Sequence, residues 1–108
     1  VIYTPRIIAF KSDTDFPQTL PREDWRRVDI ITCAAPNLRN RELERGSYKD
    51  FIDLHMKRAE KIILVAAANG AEALITGAFG CGAFRNPPQL VAQAWKQAIA
   101  KHDGCAYT

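Results

Sequence analysis

Ala71 to Pro88 reads AEALITGAFGCGAFRNPP. Ala71 to Ala78 is a short apolar run, and such a run bounded by glycine suits a buried β-strand. Gly77, Gly80 and Gly82 then open a loop that closes on two prolines. Beyond it Leu90, Val91, Ala94, Trp95, Ala98 and Ile99 recur at helical spacing. Pro87 fits a first helical position, with Asn86 as its cap. The local order is strand, glycine loop, helix.

Upstream, the pattern predicts a further strand and, after a polar, basic connector, a further helix, with no internal repeat. Val28 to Ala35 (VDIITCAA) is apolar on both faces and closed by Pro36 and Asn37, which suits a central strand. Tyr48, Phe51, Ile52, His55, Ala59, Ile62, Ile63 and Ala66 then share one helical face, so Ser47 to Asn69 is expected to be a helix. Ser47 is its candidate cap and Gly70 its terminator. Strand, helix, strand, loop and helix imply an α/β fold with a mainly parallel sheet and a right-handed crossover. Before this, Pro5 restricts Arg6 to Phe10 to an edge or irregular strand, and Lys11 to Arg27 reads as a surface excursion.

Composition sets the outer limits. The chain has 108 residues, 47% hydrophobic and 25% charged, which is ordinary for one compact domain over residues 1–108. Its apolar runs are far shorter than the roughly 20 residues a membrane helix needs. Nothing resembles a signal peptide, so a cytoplasmic protein without membrane association is expected. Cys33, Cys81 and Cys105 contain no Cys-x-x-Cys pair, which favours reduced thiols over a disulfide framework. A net charge of +3 favours anionic ligands only mildly.

The loop itself suggests chemistry. Glycine at 80 and 82 lets the backbone take positive φ and lets a bulky anion approach successive N–H groups closely. In open α/β sheets ligands gather beyond the carboxyl ends of strands, where this loop would lie. Pro87 and Pro88 have no N–H, so the cradle is expected earlier, from about Gly80 to Asn86. Phe84 would offer a flat apolar surface beside the anion. No Gly-Lys-Ser/Thr follows, and Arg85 stands where a dinucleotide fingerprint has its third glycine. A tight turn is the plainer reading of the glycines, and phosphate binding the sharper one.

Other candidates are weaker. Cys81 lies in a helix-entry loop where a thiolate nucleophile could form, with His55 and His102 as bases. However, His55 falls on an apolar helical face, His102 sits at a helix end, and a small packed thiol is the simpler account of Cys81. The scattered His and Cys have no zinc-ligand spacing, so no metal and no cofactor are assigned. Arg26, Arg27, Arg39, Arg41 and Arg45 are interleaved with Glu23, Asp24, Glu42 and Glu44, which reads as a solvated charged surface rather than a nucleic-acid interface. Trp25, Phe79 and Trp95 form no stacking row.

The strings ITCAAPN (Ile31 to Asn37), RAEKIILVAAANGAEALITGAFGCGAF (Arg58 to Phe84) and NPPQLVAQAW (Asn86 to Trp95) resemble the microbial-type poly(ADP-ribose) glycohydrolase family. The resemblance implies a bacterial, macrodomain-like three-layer fold, here its C-terminal part and truncated at both ends. It further implies that Gly80, Cys81, Gly82, Ala83 and Phe84 hold the diphosphate of ADP-ribose or a related nucleotide diphosphate. Phe84 would lie against the distal ribose, and Asn37 would border the cleft. The implied reaction is hydrolysis of ribose–ribose or target-linked glycosidic bonds.

That reaction requires a positioned carboxylic acid to protonate the leaving oxygen. The family's glycine-rich Gln-Glu-Glu segment is absent from this chain, and Glu23 and Asp24 lack its glycine context. No catalytic residue is therefore assigned. Two readings stand: a piece of a glycohydrolase whose acid comes from outside this chain, or a non-catalytic binding or assembly module that self-associates into a homo-oligomer to complete its sheet.

Overall fold

The computed structural model describes residues 1–38 and 47–102. The expected basic connector with Arg39, Arg41, Arg45, Glu42 and Glu44, together with Cys105, lies outside the described residues. Two compact units emerge, one spanning Ile2–Thr32 and the other beginning at Cys33.

The first unit is an antiparallel pair, β1 (Ile2–Ala9) and β2 (Arg26–Thr32). Its irregular strand falls where proline dictates. Pro5 cannot donate to a ladder, and the register shifts between Thr4, opposite Ile30, and Ile7, opposite Val28. Arg6 takes a φ of 58° there. Its freed N–H donates to Asp29 Oδ1 at 2.9 Å, while the Tyr3 hydroxyl donates to the other carboxylate oxygen. The Tyr3 and Arg6 hydrogen bonds hold the Asp29 carboxyl below its ordinary range, and the same carboxylate pushes the Tyr3 hydroxyl up.

Between the strands the chain makes a surface excursion. Lys11 bridges Thr19, the Leu20 amide donates to the Phe10 carbonyl at 2.8 Å, and a 3-10 turn spans Arg22–Asp24. Phe10 meets Trp25 edge to face at 5.8 Å.

The second unit packs α1 (Tyr48–Ala68) against α2 (Pro88–Lys101). The expected periodicity is realised in its centre: Phe51, His55, Ala59, Ile62, Ile63 and Ala66 are buried from α1, and Val91, Ala94 and Ala98 from α2, whereas Tyr48 and Ile99, expected on the same faces, are exposed and Ile52, Leu90 and Trp95 are half-buried. Ala59, Ile63 and Ala98 meet at the centre, with Leu74 and Trp95 packed against them. Small residues on both helices let the backbones come close enough for this contact. Glu60, midway along α1, forms a 2.9 Å ion pair with Lys101 at the end of α2, and His102 Nε2 lies 3.9 Å from the same oxygen. Lys101 first, then His102, holds the Glu60 carboxyl down.

Gly70 ends α1 as expected. Its φ is 74°, its N–H donates to the Ala67 carbonyl at 3.0 Å, and the Ala71 N–H donates to the Ala66 carbonyl at 3.1 Å. Those two bonds constitute a Schellman motif. At the other end Ser47 precedes the helix but makes no side-chain capping hydrogen bond.

The expected sheet is corrected. The described residues contain one two-stranded antiparallel sheet and no parallel pairing, so the three-layer, mainly parallel macrodomain-like architecture is not this fold. The reason is connectivity. β1 and β2 are neighbours in sequence with no α-helix between them, and a parallel crossover from β2 through α1 would need a strand after α1. Ala71 to Ala78, the run expected to supply it, has no ladder partner among the described residues, and Ile75 is 97% exposed. Val28 to Ala35 is likewise not a buried central strand: β2 stops at Thr32, and Val28 and Ile30 are exposed. None of the helices in the described residues is long and apolar enough to cross a membrane.

Candidate functional site

The glycine loop runs from the non-strand segment Ala71 to Ala78 into α2. Its first turn is closed by the Cys81 N–H donating to Ala78 O at 3.0 Å, and its second by the Arg85 N–H donating to Gly82 O at 3.0 Å. Gly80 has a φ of 75° and Arg85 one of 56°. The position that replaces a fingerprint glycine is thus itself in left-handed backbone, an uncommon state for a residue with a Cβ.

The two glycines at the centre play different parts. A Cβ on Gly80 would lie 2.6 Å from Ala35 Cβ and 2.7 Å from Asn86 Nδ2, so neither the backbone nor the space admits a side chain. A Cβ on Gly82 would meet nothing within 4 Å among the described residues, and its φ is not left-handed. Gly80 is a packing requirement, whereas the described residues leave room at Gly82.

The expected amide cradle is narrower than the run from Gly80 to Asn86. The N–H groups of Cys81, Arg85 and Asn86 are bonded within the loop, the last to Gly80 O at 3.0 Å. Gly82, Ala83 and Phe84 are exposed, and their consecutive amides make no hydrogen bond within the protein among the described residues. Exposed turn amides are ordinarily hydrated, and successive ones are donors that an anion can take up in place of water.

Asn37 is brought to this loop. The residue before it, Pro36, accepts a hydrogen bond from Asn86 Nδ2 at 2.7 Å, and the residue after it, Leu38, donates its N–H to Phe84 O at 2.9 Å. Asn37 is itself exposed. The Arg58 guanidinium donates to the Ala34 carbonyl and ties this same segment to α1. All six candidate residues, Asn37 and Gly80 through Phe84, therefore lie along one pair of joined backbone segments.

What joins them is a residue read differently from the sequence. Asn86 does not cap α2; Pro87 occupies that position without a side-chain bond. Instead the Asn86 side chain is 1% exposed. Nδ2 donates to Pro36 O and, at 2.8 Å, to Gly80 O, while Oδ1 faces His55 Nε2 at 3.0 Å. Two carbonyls can only accept, so the amide orientation is fixed, and with it the tautomer of His55: Nε2 carries the proton. Phe51 and Phe79 flank the ring at 4.5 and 5.9 Å. The available signal was His55 itself, since a ring on an apolar helical face needs a buried polar partner.

The remaining candidates separate from this site. Burial pushes the Cys81 thiol up, and its Sγ points to the Phe79 carbonyl at 3.7 Å, the behaviour of a packed thiol rather than an activated nucleophile. Cys33 and Cys81 are free. Among the described residues no three His, Cys, Asp or Glu side chains gather as a metal site would require. Glu23 and Asp24 sit in the exposed 3-10 turn of the first unit. No family model, no curated protein and no solved structure matches this chain.

Proposed function

We propose that this chain binds ADP-ribose, or a related nucleotide diphosphate, through the loop Gly80 to Phe84, and that it is related in sequence to the C-terminal part of microbial-type poly(ADP-ribose) glycohydrolases. The observation that carries the reading is the succession of amides at Gly82, Ala83 and Phe84 that are unbonded among the described residues, with nothing described within 4 Å of a Cβ at Gly82. The pyrophosphate would lie against those amides, Phe84 beside the distal ribose and Asn37 at the rim. Hydrolysis would require an acid supplied from outside this chain.

Gly82→Val tests this directly, because a Cβ added there meets nothing within 4 Å among the described residues. Titration of the chain with ADP-ribose, followed by calorimetry and by amide chemical shifts, should show binding that perturbs Gly82 to Phe84. The variant should keep its thermal midpoint and lose about tenfold or more in affinity, corresponding to about 1.4 kcal/mol. An unperturbed loop at saturating ligand overturns the reading.

A second reading, a non-catalytic module that self-associates, is favoured by the apolar side chains left uncovered. Ile2, Val28 and Ile30 occupy one face of the hairpin and are exposed, and both outer edges of the two-stranded sheet are unpaired among the described residues.

A further inference from the structure

The His55–Asn86 contact couples a titratable ring to the loop. His55 is 0% exposed, its Nε2–H is committed to Asn86, and its Nδ1 has no hydrogen-bond partner among the described residues. A proton placed on Nδ1 would create a buried donor with nothing to receive it, which costs far more than the same event in water. The ring would have to leave its place to hydrate, and its departure removes the partner of Asn86 Oδ1. Asn86 in turn holds Gly80 and Pro36 together.

We propose that Asn86 is the positioning residue of the glycine loop and that His55 is its proton-sensitive latch, closed when the ring is neutral and released when it is protonated. As regulation of the proposed ligand site, this rests on the binding reading above.

The surroundings agree with the sign. Burial, the largest influence, lowers the affinity of His55 for its second proton; the Asn86 bond opposes this and the Arg58 cation, one turn along α1, reinforces it. From the loop, Phe79 and Asn86 face the ring and neither is charged. Phe51 completes the α1 side, and no charged group of α2 acts on the ring. The folded value lies below the unfolded one of 6.5. The closed loop is therefore fully stable above that pH and loses stability as pH falls from there toward the folded value.

The test uses the full chain, labelled with nitrogen-15, titrated from about pH 8 to about pH 5 with and without ADP-ribose. The expected result has three parts. His55 titrates below the ordinary histidine midpoint, the amides of Gly80, Gly82 and Asn86 move with that same midpoint, and ADP-ribose affinity falls about tenfold per unit of depression carried by the closed loop. His55→Gln keeps a side-chain N–H for Asn86 but cannot titrate, so it should bind with a flat pH profile. Should that variant not fold, the wild-type titration still decides. Loop amides that shift independently of His55, or equal affinity at both pH extremes, overturn the latch while sparing the binding reading. Loop amides that follow His55 with no response to ADP-ribose support the latch and overturn the ligand.

Discussion

At the scale of single residues, two glycines of identical sequence appeal turn out to have opposite roles. Gly80 carries both a left-handed backbone and neighbours closer than any Cβ tolerates, while Gly82 carries neither. Gly80→Ala should lose about 1 to 2 kcal/mol from the backbone conformation alone, with displacement of Asn86 adding to it. Gly82→Ala should be neutral or slightly stabilising, because removing chain freedom from the unfolded state costs nothing where the native φ is ordinary. Urea unfolding of the two variants measures the difference, and equal midpoints would contradict the assignment. Nothing in the string Gly-Cys-Gly distinguishes the pair, since what separates them is the folded backbone at Gly80 and its contacts with Asn86 and with Ala35, some forty-five positions earlier in the chain. Asn86 was hidden for the same reason: before Pro-Pro it looks like a cap, and only the folded contacts with His55, Pro36 and Gly80 show a buried hub.

The helices and strands differ in how far their own sequence determines them. A helix satisfies its backbone internally, so the spacing Phe51, His55, Ala59, Ile62, Ile63, Ala66 was sufficient to find α1, and the Asn-Gly step to find its end. A strand needs a neighbour, and an apolar run does not say whether one exists. Among the described residues, Ala71 to Ala78 has the composition of a buried strand and lacks the partner, and Val28 to Thr32 has a partner on one side only, running the other way. The Schellman end of α1 offers a test at this level. With φ at 74° and nothing within 4 Å of a Cβ, Gly70→Ala should cost about 1 kcal/mol through the backbone alone. Thermal unfolding read by circular dichroism should show the loss without any change in the loop's amide shifts. A loss of several kcal/mol would mean that the turn is also packed against something.

At the scale of the whole molecule, the described residues leave apolar surface uncovered and sheet edges unpaired. A two-stranded sheet is marginal by itself in water, and this one leaves Ile2, Ile8, Val28 and Ile30 exposed, while Ile75 projects almost fully from the other unit. Coverage of this surface by a second copy is tested by concentration, because association obeys mass action. If self-association completes the sheet, hydrogen exchange in Ile2–Ala9 and Arg26–Thr32 should slow markedly with protein concentration, while α1 and α2 change little. Light scattering should report a growing mass over the same range. Lysine at Val28 and Ile30 would place like charges on the exposed face, and the V28K/I30K chain should stay monomeric with the helical signal intact. Protection in the strands that is independent of concentration, in a chain that scatters as a monomer throughout, would rule out the homo-oligomer and leave the ADP-ribose loop as the function to pursue.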